Sequence, residues 1–123
     1  MIYVIKGSNL RTGFIEENPG RTIINDIKEG DVTFFPQGLI HYQQNLGCDT
    51  VQYLSALNSE DPGVVTLSNQ VFTLPIESLI STFGIATKFL NRITKDLPTG
   101  PGEGWQNCLN RCRELNKTHM TQP

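Results

Sequence analysis

Gly30-Asp-Val-Thr-Phe-Phe-Pro36-Gln-Gly38-Leu-Ile-His41-Tyr-Gln-Gln-Asn45 is the stretch whose reading decides the fold. Gly30 ends one turn, Val32 to Phe35 reads as an apolar strand, Pro36-Gln-Gly38 breaks it, and Leu39 to Gln44 reads as a second strand carrying His41. Glycine supplies the positive φ that tight turns need, and proline is tolerated at strand ends but not inside a ladder. Side chains alternate along a strand, so His41, Gln43 and Asn45 point one way and Ile40, Tyr42 and Gln44 the other. On its own strand His41 shares its face with amides.

Short β-rich segments surround this stretch. Strands are expected at 2 to 7, 11 to 17, 21 to 28, 31 to 35, 39 to 44, 50 to 57 and 63 to 67, separated by turn chemistry such as Asn18-Pro-Gly20, Glu29-Gly-Asp31, Asn45-Leu-Gly47 and Asp61-Pro-Gly63. Strands at this even spacing indicate a sandwich or barrel. Val32, Phe34 and Val51 are read as interior side chains. From Pro75 the period changes: Ile76, Leu79, Ile80 and Phe83 fall at i, i+3, i+4 and i+7, a helix that starts after Pro75 and stops at Gly84. A second helix carries Ala86, Phe89, Leu90 and Ile93 on one stripe and Lys88, Asn91, Arg92 and Lys95 opposite. Leu97-Pro-Thr-Gly-Pro-Gly-Glu-Gly104 reads as a linker, and a short helix around Trp105 to Leu115 is expected to dock back through Trp105 and Leu109. The fold class is all-β with a helical C-terminal tail, organised as a β body at 1–74, a helical extension at 75–96 and a linker with a Cys-containing tail at 97–123.

Composition narrows the function. A chain of 123 residues fits one core. The net charge is -2 and the ten basic residues are dispersed, which argues against a nucleic-acid partner, since that needs clustered Lys and Arg to displace counterions. No apolar run approaches the roughly 20 residues that span a bilayer, and the start lacks the pattern of a signal peptide. There is no Gly-x-Ser-x-Gly elbow, no His-Glu-x-x-His and no acidic pair flanking an obvious cleft. Three cysteines are an odd count, so any complete pairing within the chain leaves one over. Cys108 and Cys112 stand four apart, where helical Cβ atoms are about 5 to 6 Å from each other against the roughly 3.8 Å a disulfide wants. A bond there would need a distorted helix or a helix end. Asn116-Lys-Thr118 is a glycosylation sequon, meaningful only in a secreted chain.

The Gly30 to Asn45 pattern resembles the second conserved motif of the cupin superfamily, and its flanks resemble the germin and spherulin branch: Ile2-Tyr-Val-Ile-Lys-Gly7 before it, then Gly47, Asn58-Ser-Glu-Asp-Pro-Gly63-Val-Val-Thr and Pro75-Ile behind it. The resemblance covers about residues 1 to 95 and implies a jelly-roll barrel, here partial. It implies a manganese ion held by four donors, of which His41 matches one. The other three, two His and a Glu of an earlier motif, would fall ahead of Met1. One imidazole does not hold such an ion alone, because several N and O donors must converge. The nearest local carboxylates, Glu16 and Glu17, sit beside a turn and are expected to face solvent. His119 lies in a polar tail.

The resemblance further implies an extracellular protein whose relatives carry out oxalate oxidase, oxalate decarboxylase or superoxide dismutase chemistry, with this chain inactive alone. In such sites the ion acts as Lewis acid and redox centre. Its helices would pack between subunits, so a homo-oligomer is expected, and similarity to fungal members with a paired-Cys tail favours a Cys108–Cys112 disulfide. The competing readings are a non-catalytic structural or storage module and a metal-free binder of a sugar or small carboxylate on the His41 and Gln43 face.

Overall fold

A computed structural model describes residues 1–97, 102 and 104–120, apart from the side chains of residues 69, 96 and 117–120. The elements run β1 (Ile2–Lys6), β2 (Leu10–Ile15), β3 (Thr22–Ile27), β4 (Val32–Thr33), β5 (His41–Asn45), β6 (Gln52–Ser55), α1 (Leu67–Gln70), a 3-10 turn (Val71–Thr73), α2 (Ile76–Phe83), α3 (Thr87–Asp96) and α4 (Gln106–Met120). They form two compact units, one of Met1–Glu60 with Gly104–Pro123 and one of Asp61–Glu103.

The first unit holds two three-stranded antiparallel sheets, in the orders β4-β1-β6 and β3-β2-β5. Among the described residues neither closes on the other, so β3, β4, β5 and β6 each lie at an edge. Residues directly opposite each other across an antiparallel ladder share a face. In the first sheet Ile2 stands opposite Thr33 and Ser55, and Ile2, Val4 and Thr33 are buried, which makes theirs the inward face. In the second sheet Leu10 stands opposite Ile27 and Asn45, and Thr12 opposite Asn25 and Gln43; Leu10, Thr12 and Ile27 are buried. Val4 of one sheet packs with Leu10 and Ile27 of the other, with Val51 half-buried beside them. That small cluster is the core of the unit, and the hydrophobic effect that assembles it also fixes which face of every strand looks inward.

Two turns set the chain direction on either side of β4. In the turn Lys28 to Asp31, Asp31 N–H donates to Lys28 O at 2.9 Å and Gly30 sits third with φ +87°. In the turn Pro36 to Leu39, Leu39 N–H donates to Pro36 O at 3.4 Å and Gly38 sits third with φ +79°. A positive φ at the third position is what a type II turn requires, and glycine adopts it without the clash a Cβ would bring.

The register corrects one part of the sequence reading. Val32 lies opposite Tyr3 and is 45 % exposed, and Phe34 is 66 % exposed, whereas Thr33 is buried. Apolarity alone favours Val32 and Phe34 as interior, but the pairing of Ile2 with Thr33 decides the parity. A second correction concerns residues 63–67. Thr66 is extended, with φ -83° and ψ 101°, yet the segment joins no ladder and Val64 and Val65 stay exposed. A β-branched run becomes a strand only where a neighbouring strand supplies a pleated surface to pack on.

In the second unit α2 ends at Gly84, whose φ is +64° and whose N–H donates to Ile80 O at 2.9 Å, the left-handed helix stop expected from the sequence. Leu79 of α2 and Leu90 of α3 are buried, while Ile76, Phe83, Phe89 and Ile93 on the same stripes remain exposed. The rings of Phe72 and Phe83 stack at 6.2 Å. Helix α1 and its 3-10 continuation carry no sequence signal of their own. Most of the linker read at 97–104 lies outside the described residues.

Helix α4 belongs to the first unit, and its attachment overturns the expected cysteine pairing. The disulfide joins Cys48 to Cys112, with Cα atoms 5.2 Å apart, and Cys108 is a free thiol. The helix continues unbroken through Cys108 and Cys112, so the intrahelical pair would have to close the Cβ mismatch noted above, while the turn after β5 brings Cys48 to the correct distance. Arg111 Nη2 donates to Leu46 O at 2.8 Å in the same turn. Trp105 is 72 % exposed, so α4 is held through Arg111 and Cys112 and not through the expected Trp105.

Candidate functional site

His41 opens β5 opposite Phe14 of β2. By the alternation worked out above it lies on the inward face, in register with Leu10, Thr12, Gln43 and Asn45. The amide character of its own strand is as expected, but across the sheet that face also carries Leu10, Phe14, Ile23 and Ile27. The inner wall is therefore mixed, apolar at Leu10, Phe14, Ile23 and Ile27 with Thr12 and Asn25 between them, and polar along β5. The imidazole itself is exposed.

Two contacts orient the ring. His41 Nδ1 lies 3.0 Å from Leu39 O. A carbonyl oxygen only accepts, so Nδ1 carries the proton and the lone pair of the neutral imidazole sits on Nε2. Phe35 stacks on the ring with centroids 4.4 Å apart and planes 19° from parallel, an offset-stack distance worth about 0.5 to 1.5 kcal/mol in aromatic pairs. The sequence singled out His41 but not Phe35; the Pro36-Gln-Gly38 turn is what folds the two together. Histidines that ligate metals are commonly fixed in this way, with the second nitrogen donating to a carbonyl.

The remaining donors do not join it. Glu16 Oε2 accepts from Arg21 Nε at 2.8 Å across the Asn18-Pro-Gly20 turn, which commits that carboxylate elsewhere, and Glu17 is exposed. The side chain of His119 lies outside the described residues. Among the described residues no three His, Cys, Asp or Glu side chains gather as a metal-binding group. A hard or borderline divalent ion needs several converging N and O donors, so the described donor set presents an oriented imidazole but does not fit a manganese ion by itself.

Asn45, the last residue of the motif, has a structural task. Its Oδ1 accepts from Gly47 N–H at 2.9 Å and its Nδ2 donates to Asp49 O at 2.8 Å. Asp49 in turn accepts from Ser8 Oγ at 2.6 Å and Ser8 N–H at 2.8 Å. The hydrogen bond from the Ser8 hydroxyl, followed by backbone N–H donors, holds the Asp49 carboxyl below its ordinary value of 3.8. A Cβ on Gly47 would meet Asp49 Oδ1 at 2.5 Å and Ser8 Oγ at 2.9 Å, so a side chain there would displace the groups of this network. This network ties the β1–β2 turn to the β5–β6 turn and presents Cys48 to α4. On the outward face Arg11 and Asp26 form a bidentate pair at 2.7 and 2.8 Å, and the Arg11 hydrogen bond holds Asp26 below its ordinary value.

The comparisons agree with this architecture. A family model described as cupin matches residues 1–90. Spherulin-1A of Physarum polycephalum is 33 % identical over 112 residues, covering 90 % of this chain and 46 % of its own length. A putative germin-like protein 2-1 of Oryza sativa subsp. japonica is 40 % identical over 98 residues, covering 76 % of this chain and 45 % of its own length. The solved structure of Bacillus subtilis oxalate decarboxylase, an enzyme with Mn(II) centres, superposes with a TM-score of 0.60 over 85 % of this chain and 32 % of its own, at 22 % identity, a likeness of fold. Two unclosed antiparallel sheets carrying the Gly30 to Asn45 motif thus define a cupin, and the chain belongs to that family in its germin-like branch. It spans less than half the length of these relatives.

Proposed function

We propose that this chain contributes His41 Nε2 to the manganese site of an extracellular germin-like cupin, together with donors that its described residues do not supply, and that these residues alone neither retain the ion nor turn over substrate. The observation that carries this reading is the position of the His41 ring: its Nδ1 lies 3.0 Å from the Leu39 carbonyl oxygen, which can only accept, so Nε2 is the ring nitrogen left to meet a ligand on the inward face of the sheet. The Cys48–Cys112 disulfide supports an oxidising compartment. Among the described residues no helix is long and apolar enough to cross a membrane.

Metal analysis after dialysis against manganese tests the reading. The expected content is below about 0.1 ion per chain, because a sole imidazole does not give the near-stoichiometric occupancy of a complete site. Near-stoichiometric manganese abolished by His41→Ala would refute it. The same reading includes self-association. It is supported by the exposed outward face of the first sheet, where Tyr3, Val32 and Leu54 lie side by side with Ile5, and by the exposed stripe residues of α2 and α3. Light scattering on the eluting protein checks this, and a compact, cooperative monomer would contradict it.

A further inference from the structure

Helix α4 carries two sulfurs on one stripe, Cys108 and Cys112, four residues and about one helical turn apart. Cys112 is bonded to Cys48, an exposed residue of the turn after β5, and Cys108 remains a half-buried thiol. Arg111 links the two ends of this arrangement. Its Nη2 lies 3.4 Å from Cys108 Sγ and also donates to Leu46 O, two residues before Cys48. A guanidinium therefore faces the free sulfur and is anchored to the same turn that holds the disulfide.

We propose that Cys108 is an alternative partner for Cys48, so that α4 has two latch positions on the β5–β6 turn one helical turn apart, interconverted by thiol–disulfide exchange. The Cys108 thiol gives its proton to solvent and the thiolate attacks Cys48 Sγ. The Cys48–Cys108 bond forms as the Cys48–Cys112 bond breaks, and the electron pair leaves on Cys112, which takes up a proton. Two electrons stay in one disulfide throughout, so no oxidant or reductant is consumed. The cationic Arg111 is placed to face the negative charge while it passes between sulfurs. The helix moves along its axis by about 6 Å, four residues at about 1.5 Å each, close to a one-turn ratchet of one element past another. The two disulfides close loops of nearly equal length, so chain entropy hardly distinguishes them. The third pairing, Cys108 with Cys112, is disfavoured by the helical Cβ separation.

The test uses the intact, non-reduced chain at pH 8.5 without denaturant, with far-UV circular dichroism to confirm that it stays folded. The free thiol is trapped with N-ethylmaleimide after increasing times, and the label is mapped by acidic, non-reducing digestion. One label per chain is expected, shared between Cys108 and Cys112, with about a tenth or more on Cys112 and a ratio independent of protein concentration. The variant Cys112→Ser, incubated with oxidised glutathione as the two-electron oxidant, is expected to form Cys48–Cys108 and lose both of its thiols, and Arg111→Gln is expected to slow the redistribution in the otherwise unaltered chain. Label confined to Cys108 at every time, with under about 1 % elsewhere, would overturn the proposal. So would label on Cys48, which reports the intrahelical pair, or a concentration-dependent ratio, which reports exchange between chains.

Discussion

Removing Cys48 is the perturbation with the largest expected effect on the first unit. The Cys48–Cys112 bond spans a sequence separation of 64. In the chain-entropy treatment a closed loop of that length restricts the unfolded state by about 4 kcal/mol at 25 °C, between the roughly 3 kcal/mol of a 15-residue loop and the roughly 4.7 kcal/mol of a 100-residue one. The unit contains about 80 residues, for which total stabilities of about 4 to 12 kcal/mol are ordinary. With few buried aliphatics among the described residues of this unit (Ile2, Val4, Leu10 and Ile27), the disulfide supplies a large share of the total. Cys48→Ser removes the bond and denies Cys108 its alternative partner as well. Urea unfolding followed by far-UV circular dichroism, run on oxidised wild type and on Cys48→Ser, is the assay; Trp105 is too exposed to report on packing. The expected loss is about 4 kcal/mol with a larger m-value, because the unfolded chain is freed to expand. A loss under about 1 kcal/mol with unchanged m would refute the reasoning, since it would mean that the tie does not constrain the unfolded chain.

Three further outcomes follow from the geometry. Gly13→Ala places a methyl 2.7 Å from the Tyr42 ring and 2.8 Å from Ile23 O; the ring can turn aside but the ladder carbonyl cannot, so chemical denaturation should show a loss of about 1 to 3 kcal/mol. Asp49 and Asp26 are held below their ordinary carboxyl value of 3.8, so the unfolded state binds their protons more readily. The stability they contribute is fully present above about pH 3.8 and is lost as pH falls further through their folded values; a thermal melt series from pH 6 to pH 2.5 should show the decline below pH 4, and Asp49→Asn should flatten part of it. For His41, nitrogen NMR of the neutral imidazole should report the Nδ1–H tautomer, and Phe35→Ala should broaden that preference without abolishing the fold; a dominant Nε2–H tautomer would contradict the Leu39 hydrogen bond.

Much of this architecture is local and was therefore legible in the residues. Gly30 and Gly38 stand where turns need positive φ, Pro75 and Gly84 bracket α2, and His41 shares its strand face with Gln43 and Asn45, all within a few residues of chain. The strand read at 63–67 was not borne out, because the β-branched run Val64-Val65-Thr66 signals extension but not the presence of a neighbour to pair with. Phe35 carries no signal for the converse reason: nothing about a phenylalanine six residues before His41 marks it as a stacking partner until the intervening turn closes.

The amino-acid order alone determined the β body, the helical tail, the motif turns and the placement of one histidine on a strand, since each depends on backbone sterics and on periods of two or 3.6 residues. Only the tertiary structure decided that Thr33 and not Val32 faces the core, and that Cys112 bonds Cys48 and leaves Cys108 free. Those outcomes depend on which segments far apart in the chain come to lie side by side, and the packing of Val4 against Leu10 and Ile27 sets that choice.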